Sequence, residues 1–376
     1  MRVVCLTPDA SGNSLVRLYP IAKVLERKHD VLVAGFRSGG SVFAPYRDEF
    51  DFVTLETRTL PHFLREMKGL VRRLQADLVY AFKPRSTSLW TGLVARRRLD
   101  VPLIVDIEDW ELGWFRDRSP LDQLKHLAHL EQPSSYLWTA ISEPLVRYAD
   151  ERVVVSRFLQ RRFGGTLLPH GADTTVFDPG RWDRSEALRK TGLPDVRYIV
   201  FCGAPMPNKG LEDLLFALRD LRPRDTRVLV VGSFDHDPGY RKRLTERFDD
   251  LMTLVGPRPH AEMPLFLSLA SVVALPQRET RETAAQVPGK VFEAMAMGRP
   301  IVATAVSDLP EILDGCGVVV AAGEQQALAG ALGELLDDPA RCSKLGGAAR
   351  RKCEAQFSWD AMERILDGVL ERLVGP

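Results

Sequence analysis

A short loop at residues 203–210, Gly-Ala-Pro-Met-Pro-Asn-Lys-Gly, comes directly after a β-rich run and directly before a helical pattern. The unpaired N–H groups and the positive dipole end of a helix's first turn favour an anion at such a position. Lys209 would add a full positive charge, and Gly203 and Gly210 bound the loop. The spacing is neither GxGxxG nor a Walker loop. The loop is a candidate phosphate site, with an ordinary strand-to-helix turn as the alternative.

A second candidate anion site is the segment at residues 287–300, which reads VPGKVFEAMAMGRP. Pro288 and Gly289 mark the start of a helix, and Lys290 and Glu293 share its first-turn face. Lys290 is poorly placed for the helix dipole, and a bound anion would resolve that conflict. Glu293 is able to accept hydrogen bonds from two hydroxyls, as a carboxylate does from a ribose diol. The alternative is a surface Lys–Glu pair on an ordinary helix.

Four acidic residues follow the apolar run at residues 103–105, within a stretch of six: Asp106, Glu108, Asp109 and Glu111. At the carboxyl end of a strand they would serve as a general base, as ligands for sugar hydroxyls or as metal ligands. If the strand continued, Asp106 and Glu108 would point to one side and Asp109 to the other. Two neighbouring tryptophans favour a sugar or lipid surface. An exposed acidic loop is the alternative.

One segment in the first half of the chain is rich in basic residues. Within residues 62–73 they lie on an amphipathic helical pattern, and their positions are Arg65, Lys68, Arg72 and Arg73. A basic amphipathic helix is typical either of contact with an anionic membrane surface or of a solvated helix face above a core stripe. Both interpretations remain open at this point.

The elements that must position these residues form two series of β-rich runs alternating with helical patterns. The first series has strands near residues 3–6, 31–34, 52–55, 78–81, 103–105 and 152–155. After a turn-rich connector at 168–183, the second has strands near residues 198–202, 227–231, 252–255, 271–275, 301–305 and 317–321. The pattern predicts two Rossmann-like, doubly wound α/β domains facing a central cleft. Gly12 follows the first strand, where a glycine lets a substrate approach the backbone.

Composition narrows the class of protein. The 376 residues suffice for two domains, and 45% hydrophobic with 27% charged residues excludes a disordered chain. A net charge of +1 excludes a bulk nucleic-acid binder, so no nucleic-acid partner is expected. Five scattered cysteines without a CxxC pair indicate reduced core thiols. No apolar run reaches the roughly 18 residues of a membrane span. We expect a cytoplasmic protein, with the inner face of the membrane as a second location.

The order and spacing of these motifs resemble the two-domain GT-B glycosyltransferases, and within them the retaining glycosyltransferase family 4, or group 1. Lys209 after Gly203 looks like the phosphate loop of that family. Residues 168–177 look like its interdomain signature, and residues 293–302 look like its donor-site helix. Residues 357–359 look like the start of its terminal helix, which crosses back to the N-terminal domain.

The resemblance implies an acceptor-binding N-terminal domain, residues 1–175, completed by a helix at 357–376. It implies a donor-binding domain at residues 176–356. The implied reaction moves a hexosyl group, with retention, from a nucleotide sugar such as a UDP- or GDP-sugar. The implied acceptor is a glycan, a lipid-linked acceptor or another glycoconjugate, with peripheral membrane contact through the basic N-terminal half.

The resemblance also implies roles for individual residues. Lys209 and Lys290 would stabilise the leaving diphosphate, so no metal is expected. Glu293 would bind the ribose. The backbone at Pro288, Gly289, Lys290 and Val291, together with Gly12 and Gly203, would approach the donor. Glu108 and Asp109 are the candidate catalytic acids of the N-terminal half.

Three positions depart from the family pattern. Ala204 replaces the usual arginine, and Ala285 replaces the usual first glutamate, for which Glu282 and two neighbours, Glu279 and Gln286, are candidate substitutes. Glu108 replaces a common histidine. Two alternatives therefore remain: a non-catalytic relative that binds a nucleotide sugar or a partner, and a sugar-nucleotide 2-epimerase.

Overall fold

The computed structural model describes residues 1–57, 59–116, 119, 121–122, 131–133, 135–223 and 225–375. The chain divides into two compact units. The first unit comprises Met1–Pro169 and Met362–Pro376, and the second unit comprises His170–Ala361. Each unit is built around one parallel sheet, so the predicted Rossmann-like α/β class is confirmed.

The sheet of the first unit orders its strands β3-β2-β1-β4-β5-β6-β7. The bounds are β1 (Arg2–Thr7), β2 (Asp30–Arg37), β3 (Phe52–Glu56), β4 (Leu78–Phe82), β5 (Leu103–Ile107), β6 (Glu151–Val154) and β7 (Thr166–Leu167). In the centre Val3 pairs in parallel with Val31 on one side and with Leu78 on the other. Strands β4 and β5 are buried along their whole length, which explains their continuous apolar sequence.

Six helices of the first unit precede the connector. They are α1 (Leu15–Glu26), α2 (Leu60–Arg73), α3 (Thr91–Leu99), α4 (Glu111–Arg116), α5 (Tyr136–Ser142) and α6 (Arg157–Phe163) within the described ranges. A π-helical turn, Ser86–Trp90, leads into α3. The apolar stripe of α2 faces the core of this unit: Phe63 and Leu70 are fully buried.

The sheet of the second unit orders its strands β10-β9-β8-β11-β12-β13. The bounds are β8 (Arg197–Cys202), β9 (Thr226–Val231), β10 (Met252–Leu254), β11 (Ala270–Leu275), β12 (Ile301–Thr304) and β13 (Val318–Val320). Side chains alternate between two apolar clusters along β8. Tyr198 and Val200 belong to one cluster, whereas Ile199 and Phe201 belong to the other. This period of two places one cluster on each face of the sheet.

The helices of the second unit surround this sheet. They are α7 (Arg184–Thr191), α8 (Leu211–Leu221), α9 (Pro238–Phe248), α10 (Met263–Ser268), α11 (Arg281–Ala285), α12 (Lys290–Ala296), α13 (Leu309–Leu313), α14 (Gln325–Asp337) and α15 (Pro339–Gln356). Short 3₁₀ turns lie at Pro179–Arg181, Pro207–Lys209 and His260–Glu262.

The last helix, α16 (Trp359–Val374), starts in the second unit, and from Met362 onward it belongs to the first. Ser358, just before it, bridges to Ala172. Further along, Glu363 lies 2.7 Å from Arg27, and Asp367 lies 2.8 Å from Lys28. The helix therefore closes the first unit with residues from the end of the chain.

Two sequence predictions can be judged directly on the fold. All five cysteines are free thiols, and all but Cys342 are buried, as expected for core residues. No helix in the described part of the chain has both the length and the apolar character needed to cross a bilayer.

Candidate functional site

The loop between β8 and α8 requires glycine where the sequence has it. Gly210 has φ +73°, and a Cβ atom there would lie 1.7 Å from the carbonyl oxygen of Pro276. Gly203 has φ +113°, which also favours glycine. The backbone N–H of Arg278 donates to the carbonyl of Asn208 at 2.9 Å. The loop that carries Lys209 therefore packs tightly on the segment after β11.

Lys209 meets the segment that the sequence analysis proposed as a substitute for the missing glutamate. Its Nζ donates a hydrogen bond to Oε1 of Gln286. The neighbouring Asn208 donates through Nδ2 to Oε2 of Glu282 at 3.0 Å. The structure thus brings the loop together with two of the three candidate residues, Glu282 and Gln286. Ala285 lies between them, and its side chain is fully buried.

The start of α12 holds an ionic cluster around one buried carboxylate, which we call the donor-helix cluster: Lys290, Glu293 and His260. The Nζ of Lys290 lies 3.0 and 3.3 Å from the two carboxylate oxygens of Glu293. The Nε2 of His260 lies 3.1 Å from Oε1 of the same carboxylate. Glu293 is only 8% exposed. The pair is therefore not the ordinary surface Lys–Glu pair that the sequence analysis left open.

In this cluster, Lys290 and Glu293 each stabilise the charged form of the other. Burial alone would raise the pKa of Glu293, but the charge of Lys290 and the hydrogen bond from His260 outweigh it and lower the pKa to about 2. Burial works against the charged form of Lys290, yet Glu293 raises its pKa above the usual value. Glu293 is thus held as an anion, able to accept hydrogen bonds from hydroxyl groups.

His260 is a residue that the sequence analysis missed. It lies 33 positions before Glu293, in a short turn after β10 and outside any recognisable motif. Its ring is tilted against Phe177 with 5.3 Å between centroids. The other histidine nearby, His170, has its Cγ 3.8 Å from where a Cβ of Gly289 would stand. Only the folded sheet brings these residues to the start of α12.

Asp106, in the first unit, is a structural acid. It is fully buried within β5, and Nη2 of Arg17 lies 3.1 Å from its carboxylate. The hydroxyl of Tyr80 donates to the same carboxylate at 3.1 Å. Arg17 also donates to the carbonyl of Leu168 at 2.8 Å. Nothing in the sequence pattern indicated this buried pair, because Arg17 lies on a helix 89 residues away.

The condition for the predicted alternation of the remaining acids is not met. Strand β5 ends at Ile107, so Glu108 and Asp109 lie beyond the strand. Both approach the Nζ of Lys83: Asp109 Oδ2 at 2.6 Å and Glu108 Oε2 at 3.3 Å. Glu111 Oε1 stands 4.0 Å from the same atom. We call Lys83, Glu108, Asp109 and Glu111 the acidic cluster.

Burial dominates the protonation of Glu108. It raises the pKa of this carboxyl to about 7, with the charges of Asp109 and Asp106 acting in the same direction. The charges of Lys83 and Arg17 oppose that rise. Glu108 therefore exchanges its proton near neutral pH, a property typical of groups that act on substrate hydroxyls.

The structure also describes the two tryptophans and the glycine of the first unit that the sequence analysis considered. Trp110 is 9% exposed, its Nε1 donates to Glu143 at 3.1 Å, and the guanidinium of Arg162 lies 4.4 Å from its ring centroid. The ring of Trp110 therefore packs within the first unit. Trp114 is 38% exposed. Gly12 lies in the turn before α1, and a Cβ there would make only ordinary contact, 3.9 Å from Asp9.

Comparison with known proteins identifies the family of the chain. Residues 16–180 match the model of the glycosyl transferase 4-like domain, and residues 196–338 match that of glycosyl transferases group 1. A GDP-mannose-dependent monoacylated alpha-(1-6)-phosphatidylinositol monomannoside mannosyltransferase of Corynebacterium glutamicum is 30% identical, over 85% of this chain and 82% of the relative. A GDP-mannose-dependent alpha-(1-6)-phosphatidylinositol monomannoside mannosyltransferase of Mycolicibacterium smegmatis is 30% identical, over 68% and 75%.

Solved structures share the fold along the whole chain. Sucrose-phosphate synthase of Thermosynechococcus elongatus superposes with a TM-score of 0.77 at 20% identity, covering 99% of both chains. Anabaena HepE in complex with UDP-glucose gives 0.76 at 18% identity, covering 99% of this chain and 100% of the other. Both halves of the chain match family models, and a relative of known activity matches across four fifths of its length. The chain therefore belongs to the glycosyl transferases group 1, glycosyltransferase family 4, and is a glycosyltransferase.

Proposed function

We propose that this glycosyltransferase moves a mannosyl group, with retention of anomeric configuration, from GDP-mannose to a lipid-linked glycan acceptor. The observation that carries the donor half of the proposal is Glu293, a buried carboxylate held as an anion by Lys290 and His260. Such a carboxylate is suited to a ribose diol. The printed activities of the relatives support the donor and acceptor classes. Retention is the stereochemistry of the family.

In the second unit each residue has a role. Lys290 and Lys209 place positive charge where the leaving diphosphate develops negative charge, which lowers the barrier to glycosyl transfer. Glu293 accepts hydrogen bonds from the ribose hydroxyls. The backbone at Gly289 and Val291 would approach the phosphates, with Pro288 fixing the start of the helix. Gly203 and Glu282 complete the donor-binding set, in which Glu282 and Gln286 take the place of the missing glutamate. The two lysines supply the charge that a metal ion would otherwise provide.

In the first unit Glu108 and Asp109 are proposed to bind sugar hydroxyls. Glu108 stands where the family commonly has a histidine, and a carboxylate is a stronger hydrogen-bond acceptor than a neutral imidazole. Its pKa of about 7 lets it accept a hydrogen bond when ionised and take up a proton near neutral pH. Gly12, in the turn after β1, would let the substrate approach the backbone.

The first experiment is a thermal-shift screen of the purified protein against nucleoside diphosphates and nucleotide sugars. GDP and GDP-mannose should stabilise the protein more than the uridine compounds do, because ligands that bind only the native state raise its stability. A larger shift with a uridine compound would replace the donor in this proposal. No shift with any of them would contradict the donor site itself.

Turnover with product analysis then tests the reaction. Incubation with GDP-mannose and a phosphatidylinositol mannoside should give a new glycoside, whose anomeric configuration is determined by NMR of the product. A β-linked mannoside would contradict retention. A donor that is isomerised without transfer would indicate the 2-epimerase activity instead.

Membrane contact through α2 is a separate proposal, and the structure limits its form. The apolar stripe of this helix is buried in the first unit, whereas Arg65, Lys68, Arg72 and Arg73 are exposed. Contact would therefore be electrostatic, without insertion of the helix into the bilayer.

Binding to vesicles of phosphatidylcholine with added phosphatidylinositol should fall with rising salt. It should also fall when these four residues are changed to glutamine. Equal binding to pure phosphatidylcholine vesicles would contradict it.

A further inference from the structure

The backbone of Lys83 is held in an unusual conformation directly after β4. Its φ is +60°, in the left-handed region that is unfavourable for a non-glycine residue. Its N–H donates to the carbonyl of Asp106 at 2.8 Å. Its own carbonyl accepts from the N–H of Arg85 at 2.8 Å and from the hydroxyl of Ser88 at 2.6 Å. Three hydrogen bonds thus fix the direction in which the Lys83 side chain leaves the chain.

That side chain ends among carboxylates. It is 14% exposed, and its Nζ contacts Asp109 and Glu108 within 3.3 Å, with Glu111 at 4.0 Å. Arg85 forms the shorter contact with Glu111, with its Nη2 2.7 Å from Oε2. Arg85 therefore pairs with Glu111, whereas the ammonium of Lys83 pairs mainly with Glu108 and Asp109. These two acids are the residues proposed to bind hydroxyl groups.

We propose that Lys83 is a positioning residue, whose ammonium holds the Glu108 and Asp109 carboxylates side by side so that Glu108 accepts hydrogen bonds from sugar hydroxyls. This inference rests on the proposed function of Glu108. Two adjacent carboxylates repel one another, and a cation between them offsets that repulsion.

The charges around Glu108 give the proposal a measurable consequence. Lys83, on the loop after β4, and Arg17, on α1, favour the ionised form of Glu108. Asp106, in β5, and the neighbouring Asp109 favour the protonated form, as does burial. Removing the charge of Lys83 should therefore raise the pKa of Glu108, and removing the charge of Asp109 should lower it.

The experiment measures kcat/KM for the acceptor against pH at saturating donor, first in the wild type. We expect an acidic limb with a midpoint near 7, set by Glu108. Lys83→Gln should move that midpoint up by about 1–3 pH units, the range that one close charge produces. Lys83→Arg, which keeps the charge, should leave it near the wild-type value. Asp109→Asn should move it down.

Control variants distinguish this shift of the pH limb from a general loss of folded structure. Lys28→Met removes one positive charge from the first unit at an exposed ion pair and should leave the limb in place. A single cooperative thermal melt of Lys83→Gln, with GDP still raising its midpoint, shows that the variant folds. If Lys83→Gln does not fold, Lys83→Arg, which should leave the limb in place, and Asp109→Asn, which should lower its midpoint, still test the proposal.

The outcomes distinguish this inference from the proposed function. Glu108→Gln should remove the acidic limb; an unchanged limb in that variant would contradict the role of Glu108 itself. A limb that Glu108→Gln removes but that neither Lys83→Gln nor Asp109→Asn moves would overturn the role of Lys83 alone. A loss of kcat/KM in Lys83→Gln at every pH, without a change of midpoint, would show that Lys83 is only structural.

Discussion

In the second unit one carboxylate, that of Glu293, is shared by two basic groups, whereas in the first unit one ammonium, that of Lys83, is shared among three carboxylates. Glu293 is buried and Glu108 is largely buried, and burial acts against the charge of each carboxylate. In the donor-helix cluster the cations prevail, and the pKa of Glu293 falls to about 2. In the acidic cluster burial prevails, and the pKa of Glu108 rises to about 7.

The difference shows that the pKa of a carboxylate, and therefore its charge at neutral pH, depends on the balance of neighbouring basic and acidic groups as well as on burial. Glu293 keeps its charge at every pH at which the protein is expected to work, which suits a fixed hydrogen-bond acceptor for a ribose. Glu108 changes its charge near neutral pH, which suits a group that meets a reacting or departing hydroxyl. Variants that alter this ratio are the most direct way to test the contrast.

The largest effect is expected from the cations of the second unit. Lys290→Ala and Lys209→Ala should each lower kcat at least ~10²-fold, because each removes positive charge from the leaving diphosphate. Steady-state assays with GDP-mannose measure this. Lys242→Ala, at an exposed ion pair of the same unit, is the matched control and should retain wild-type turnover. Activity within a few-fold of wild type would exclude the substituted lysine from the site.

The next effect is on stability in acid. The pKa of Glu293 falls from 4.5 to about 2 on folding, which corresponds to about 3 kcal/mol of stability. The unfolded state binds this proton more tightly, so the stabilisation is present above about pH 4.5 and is lost as the pH falls toward 2. Urea unfolding should show Glu293→Gln to be less stable than wild type at pH 7. A gap between the two proteins that does not narrow in acid would contradict this.

Glu293→Gln should also weaken the binding of GDP by about 1–3 kcal/mol, the range for a lost charged hydrogen bond. Calorimetric titration measures the affinity directly. Unchanged affinity would remove the ribose role while leaving the stability argument intact.

Glu108 should show the opposite dependence on pH. Its pKa rises from 4.5 to about 7 on folding, so the native state binds this proton more tightly than the unfolded state. Wild-type stability should therefore fall as the pH rises from about 4.5 to 7, by on the order of 1–3 kcal/mol. Relative to wild type, Glu108→Gln should become more stable across this window in the same urea measurements. A difference in the free energy of unfolding that does not change with pH would contradict the opposite pH dependence expected for the two clusters.

The smallest effect is expected from Gly12→Ala. A Cβ at this position meets only ordinary contacts, so the melting temperature should change little. If the donor approaches the backbone here, the KM for GDP-mannose should rise while the KM for the acceptor stays the same. An unchanged KM for GDP-mannose would exclude Gly12 from the donor site.

Much of the fold could be predicted from the sequence because parallel strands that are buried on both faces read as continuous apolar runs. Strand β8 and helix α8 lie where the pattern indicates. The two-residue strand β7 was missed, since so short a pairing has no period of its own. Helix α11 was also missed, because its five residues sit in a loop of mixed polarity.

The site could be predicted only where its residues are neighbours in the chain. Lys290 and Glu293 are one helical turn apart, so their pairing follows from spacing. His260, Lys83 and Arg17 reach their partners through sheet topology, over 26 to 89 positions, and no local pattern carries that information. The alternation rule does not apply at Glu108 because the strand ends one residue earlier.

The path of the last helix bears on how the protein is made. The first unit is discontinuous in sequence: it needs residues from Met362 onward, whose Glu363 and Asp367 pair with Arg27 and Lys28. During synthesis the second unit is therefore fully translated before the first has all its parts, although the first emerges earlier from the ribosome. A nascent chain that stalls before Met362 would carry nearly all of the second unit together with a first unit that still lacks its closing helix.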